Sequence, residues 1–125
     1  MENALGAGGL RTTTRDYAKF LLAVMDNEHV SEDLRRAQFQ ISRNQYEKCV
    51  EDESKEGIRP QKLGFGLGWY ICDFEDERIL GHTVANNGGR TLALFSPHKK
   101  SGLVIMTNGR NGNYVIFTIA SYLNP

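Results

Sequence analysis

Cysteine is scarce in this chain of 125 residues: Cys49 and Cys72 stand alone, without the Cys-x-x-Cys spacing that marks a zinc or redox site. Two unpaired thiols in a reducing compartment are the plainest reading, and neither is assigned a disulfide, a metal or a reaction. Net charge is absent too, with 15 basic residues against 15 acidic ones. The chain therefore has no global electrostatic footprint for nucleic acid or an anionic membrane. No apolar run approaches the ~18 residues of a membrane span, and the N-terminus MENALGAGGLRTTTRD lacks the continuous apolar core of a signal peptide. The expectation for the chain as given is a soluble, cytoplasmic protein with no nucleic-acid or membrane partner.

What is present suffices for one domain over residues 1–125, since a chain of this length can bury about two-thirds of its unfolded surface. The Thr13 hydroxyl can accept the amide of Asp16 while the Asp16 carboxylate reaches back, which predicts a helix over 14–25. Tyr17, Phe20, Leu21 and Val24 would form its buried face, and Asp26-Asn27 its stop. Ser31 can cap a second helix through about Phe39. Residues 43–62 are about half charged and read as a solvated, irregular excursion.

From Gly64 onward the apolar runs become short, β-branched or aromatic, with turn chemistry between them. They predict strands over 67–74, 78–83, 90–95 and 103–107, joined by connections short enough to make neighbours antiparallel. After Asn111-Gly112-Asn113, a helix of about three turns would gather Ile116, Ile119, Ala120 and Leu123 on one face, and would need packing to persist. The fold class is α+β: an antiparallel sheet of three to four strands with packed N-terminal and C-terminal helices.

Three glycine-bearing stretches stand in order along the chain: AGGLRTTTRDYAKF at 7–20, GFGLGW at 64–69, and GHTVANNGGR at 81–90, the last followed by TLALFSP and GLVIMTNG. One such hexamer marks only a turn. Together they resemble the serine beta-lactamase, penicillin-binding protein and esterase superfamily, in a class C-like form and over its C-terminal portion only. The resemblance implies a partial beta-lactamase-like fold in which residues 81–90 carry the third active-site motif, a Lys-Thr-Gly or His-Thr-Gly triplet followed by a glycine loop and an arginine.

In that motif the first side chain serves the substrate or the proton relay, the hydroxyl binds a substrate carboxylate, and the third, small residue lets substrate lie against the strand. The corresponding positions here are His82, Thr83 and Val84. An imidazole can stand in for lysine because it donates or accepts a proton near neutrality. The resemblance therefore makes His82 and Thr83 the catalytic candidates. Val84 departs from the family's glycine, adding a stiff, branched side chain beside the cleft. Asn86, with Asn87, Gly88 and Gly89, matches the loop whose glycines permit positive φ, and Arg90 matches the arginine that opens the next strand. Val84, Asn86 and Arg90 are the substrate-binding candidates, and neither a metal nor a cofactor is implied.

The superfamily's nucleophile belongs to a Ser-x-x-Lys motif upstream of the triplet, and none precedes His82. Ser96-Pro97-His98-Lys99 matches the spacing but follows the triplet, where the family has a turn. Ser42-Arg43-Asn44 and Tyr122-Leu123-Asn124 match the second motif in form only. Gly64-x-Gly66-x-Gly68 is no dinucleotide fingerprint, because a strand follows where that motif opens a helix.

Two readings of function stay open. The chain is the C-terminal part or remnant of a hydrolase acting on beta-lactams, peptidoglycan peptides or esters, inactive alone and able to take an acyl substrate only if complemented. Alternatively it is a non-catalytic binding or assembly module on the same scaffold. In either case the uncharged run Gly102-Leu103-Val104-Ile105-Met106-Thr107 is expected to pair with a second copy or with the missing N-terminal half.

Overall fold

The computed structural model describes residues 9–27, 30–44 and 60–123. Helix α1 spans Thr14–Met25. Its cap is the expected one: Thr13 Oγ1 accepts the Asp16 amide at 3.1 Å, though it donates in turn to Asp16 Oδ2 at 3.0 Å, so the return bond joins two side chains. Helix α2, Glu32–Phe39, starts where the Ser31 hydroxyl accepts the Leu34 amide at 3.2 Å. Both caps satisfy amides that a helix start would otherwise leave unbonded.

The sheet has six strands rather than three or four, all antiparallel and in chain order. They are β1 (Arg43–Asn44), β2 (Lys62–Phe65), β3 (Tyr70–Asp73), β4 (Arg78–Ala85), β5 (Arg90–Ser96) and β6 (Ser101–Thr107). Two expectations are corrected. The stretch read as a solvated excursion has a strand at each end, β1 and the start of β2, while its middle, 45–59, lies outside the described residues, as does Cys49. The strand expected over 67–74 is instead a hairpin, β2 and β3, turning through residues 66–69, with the Gly66 amide donating to the Trp69 carbonyl at 2.9 Å.

The glycines explain the difference. A side chain at Gly64 would strike the Arg43 carbonyl of β1, and one at Gly66 would meet the Gln40 carbonyl at 3.0 Å. Gly68 takes φ of +81°, a conformation costly for any other residue. The triplet of glycines that reads as a strand entry is thus two close approaches and a turn.

Side chains on alternate strand residues point to opposite faces, and each face has its own core. On one face Leu21 and Met25 of α1 pack with Trp69, Ile71, Leu80, Ala93 and Phe95; on the other, Leu92 and Ile105 pack under Ile116. Ile116 belongs to the last helix, α3 (Gly112–Leu123). The C-terminal end of α2 is tied to the sheet by Arg78, whose guanidinium clasps Asp73 at 2.5 and 2.7 Å and donates to the Phe39 carbonyl at 2.9 Å. No helix among the described residues is long and apolar enough to cross a membrane.

Candidate active site

Strand β4 is longer than its neighbour. Its last pairing with β3 is Gly81 with Tyr70, yet it continues to Ala85, bonded among the described residues to β5 alone. Residues 82–85 therefore present a strand edge on the β3 side, and this edge holds His82, Thr83 and Val84.

Register fixes the faces. His82 pairs with Ala93 and stands on the α1 face; Thr83 pairs with Leu92 and stands on the α3 face. The two catalytic candidates are thus consecutive but on opposite sides of the sheet, and one ligand meets both only by lying along the edge. The His82 side chain is exposed and takes no hydrogen bond among the described residues. Val84, 45% exposed, shares the face of His82 about 7 Å further along.

The loop over residues 86–89 bonds to itself. Asn86 Oδ1 accepts the amides of Gly88 and Gly89, both at 2.8 Å, and Arg90 Nη1 donates to the carbonyls of Asn86 and of Gly89, the latter at 2.9 Å. Neither Gly88 nor Gly89 adopts positive φ, contrary to expectation. Gly89 is required for a different reason: a Cβ there would strike the Thr107 carbonyl. Thr107 Oγ1 accepts the Arg90 amide at 3.2 Å and donates to the Arg90 carbonyl at 3.0 Å, holding this end of β5 against β6. Asn86 and Arg90 are therefore engaged in building the loop that ends β4. Arg90 Nε is buried without a partner among the described residues.

The sequence match Ser96-x-x-Lys99 does not form a nucleophile pair. Ser96 is 4% exposed, and its hydroxyl accepts the Lys99 amide at 3.2 Å. The Lys99 ammonium goes to Glu77 Oε2 at 2.8 Å. Ser42 donates to the Phe65 carbonyl at 2.9 Å, far from the triplet in the sheet order. The Tyr122-Leu123-Asn124 match ends outside the described residues.

Glu77, between β3 and β4, belongs to none of the motifs visible in the sequence, yet it is an ion-pair partner of the Lys99 in the Ser96-x-x-Lys99 match. The Lys99 hydrogen bond chiefly, then the Ser96 hydroxyl and the charges of Lys99 and His98, hold its carboxyl below the ordinary carboxylate range, with burial opposing. A lowered folded-state value means stability that is present above the unfolded value and lost as pH falls through the folded one. Glu77→Gln is expected to lose about 1 kcal/mol near neutrality, the scale of a partly exposed ion pair. That deficit should begin to shrink as pH falls below the ordinary glutamate range and disappear once the folded-state carboxylate is protonated. Urea midpoints near pH 7 and pH 3 check it; a deficit as large in acid would assign the loss to packing.

The sequence matches the beta-lactamase family model over residues 1–117. The chain belongs to the beta-lactamase family. No curated protein and no solved structure matches it significantly. Within a beta-lactamase-family domain, the exposed β4 edge with His82 and Thr83 is the part of the described structure that the third-motif resemblance picks out. Among the described residues no group of three or more His, Cys, Asp or Glu side chains converges as a metal site would.

Proposed function

We propose that this beta-lactamase-family chain contributes the third-motif strand of a serine-hydrolase site for beta-lactams, peptidoglycan peptides or small esters, and that its chemistry needs a nucleophile from outside the described residues. The open edge of β4 at residues 82–85 carries this reading. An extended amide or ester laid against that edge would exchange backbone hydrogen bonds with β4. Its substituents would then reach His82 on one face and Thr83 on the other.

When an external serine oxygen bonds to the acyl carbon, the serine proton must travel to the leaving nitrogen or oxygen as that atom's bond to carbon breaks. An imidazole at position 82 can accept and return a proton in such a transfer, and the Thr83 hydroxyl can hold a substrate carboxylate. Asn86 and Arg90, bonded into their own loop, hold this end of the strand in place.

Val84 favours a second reading. Its exposed, branched side chain narrows the approach to the strand, which suits a module that binds an extended peptide without turning it over.

Both readings require that the chain alone make no acyl-enzyme, because oriented groups without an activated nucleophile cannot start covalent catalysis. Incubation with a fluorescent penicillin and with a chromogenic ester is expected to leave the intact mass unchanged. A stoichiometric adduct, on Ser96 above all, would overturn the proposal. Amide shifts at residues 82–85 on adding a short extended peptide, with no turnover when a Ser-x-x-Lys-bearing half is supplied, would select the binding module.

A further inference from the structure

Asparagine is followed by glycine three times, at Asn87-Gly88, Asn108-Gly109 and Asn111-Gly112. In such a pair the glycine amide nitrogen can close a five-membered ring on the asparagine side-chain carbonyl, and glycine, having no Cβ, leaves that approach open. In the sequence the three pairs are alike. In the structure they differ, because the attacking nitrogen is differently engaged at each.

At the first pair the Gly88 amide donates to Asn86 Oδ1 at 2.8 Å, inside the loop that ends β4. At the third, the Gly112 amide donates to the Gly109 carbonyl at 3.1 Å. Gly112 is also buried as the first residue of α3, packed so closely on Thr107 that a side chain there would strike its hydroxyl. Either nitrogen must first give up its hydrogen bond, and the third must leave a helix start as well. The middle pair has neither restraint. Asn108 and Gly109 are exposed between β6 and α3, and neither the Gly109 amide nor the Asn108 side chain takes a hydrogen bond among the described residues. A side chain placed on Gly109 would meet nothing within 4 Å.

We propose that Asn108 is a site of non-enzymatic modification, closing to a succinimide and opening to aspartate or isoaspartate, while the fold holds Asn87 and Asn111 back. The Gly109 nitrogen loses its proton to hydroxide and bonds to Asn108 Cγ. The Cγ–Nδ2 bond breaks, and the departing nitrogen takes a proton from water and leaves as ammonia. Water then adds to one of the two imide carbonyls: at Cγ it yields aspartate, and at the main-chain carbon it yields isoaspartate, whose backbone is one carbon longer. The consequence falls on the end of the candidate site. Thr107, the preceding residue, holds the Arg90 backbone through its hydroxyl, and Asn108 Cα lies 3.8 Å from the place that a Cβ on Gly89 would take. An extra main-chain carbon at residue 108 shifts both contacts.

The test is ageing of the purified chain at mildly alkaline pH, followed by peptide mapping for the exchange of NH2 for OH and by isoaspartate-specific methylation. Conversion at Asn108 is expected to run about five- to tenfold ahead of Asn87 and Asn111, the factor by which a hydrogen bond that must first break slows the other two, and to quicken as pH rises. In denaturant the three should convert at similar rates. Gly109→Ala should slow conversion at Asn108 without loss of stability, and amide exchange at Arg90 should quicken as isoaspartate accumulates. Equal conversion of the three in the folded chain would overturn the inference. So would a lead of Asn108 that persists undiminished in denaturant, or an Asn108 that stays intact while the unfolded chain reacts; unchanged exchange at Arg90 in the isoaspartate form would overturn the link to the loop.

Discussion

Phe95→Ala is expected to destabilise the protein by about 3–5 kcal/mol, the range for emptying a fully buried aromatic site. Phe95 is 1% exposed at the middle of the α1-side core. The Trp69 ring meets it edge-on with centroids 4.9 Å apart, and Phe39 at the end of α2 lies 6.3 Å away. Its ring therefore joins three parts of the chain: the β2–β3 hairpin, the second helix and the strand paired with the triplet. Removing it leaves a cavity that none of the three can close without leaving its own place. Against a typical total of about 5–15 kcal/mol, the loss leaves a marginal fold, and thermal melting should drop by about 10–20 °C. Phe95→Leu should cost less than half as much. A loss below about 1 kcal/mol for the alanine variant would show that this core is loose.

Gly112→Ala sets helix propensity against packing. Alanine in place of glycine favours a helix by up to about 1 kcal/mol, and Gly112 is the first residue of α3. Yet a Cβ there would fall on Thr107 Oγ1, lie 2.8 Å from Thr107 Cβ and 3.1 Å from Arg90 Cβ. The obstructed atom is the hydroxyl that both accepts from and donates to the Arg90 backbone. Overpacking against such a fixed pair costs about 1–3 kcal/mol. The expected result is a net loss of stability together with faster amide exchange at Arg90. Gly109→Ala is the control, since a side chain there meets nothing within 4 Å. A stabilised Gly112→Ala protein would mean that Thr107 can turn aside and that the loop does not depend on it.

What was legible in the sequence was local. The bounds of α1 follow from a hydroxyl cap three residues before an amide and from apolar residues three and four apart, and the start of α2 from its Ser31 cap, all within one helical turn. The later strands were legible for a similar reason, alternation between turns, although β4 runs two residues past its expected end because Val84 and Ala85 find partners in Thr91 and Arg90. What failed was non-local. A two-residue strand such as Arg43–Asn44 has no period, and Gly64 reads as a turn until the Arg43 carbonyl is known to lie against it.

The candidate site divides in the same way. That His82 and Thr83 share a strand was visible; that the strand takes in Val84 and outruns β3 was not, since overhang is a relation between two strands. Nor could spacing reveal that Asn86 bonds its own loop or that Glu77 meets Lys99 from 22 residues away.

The order of the strands bears on how the chain is made. Each strand after the first bonds to the one before it, and no pairing waits for a segment far along the sequence. Closing short loops one after another carries little entropic cost compared with joining distant ends. As the polypeptide leaves the ribosome, each strand can settle on the one just completed. The apolar helix α3 follows all six strands and arrives to find its half of the sheet already built, so the face holding Leu92 and Ile105 stays exposed until that helix is made.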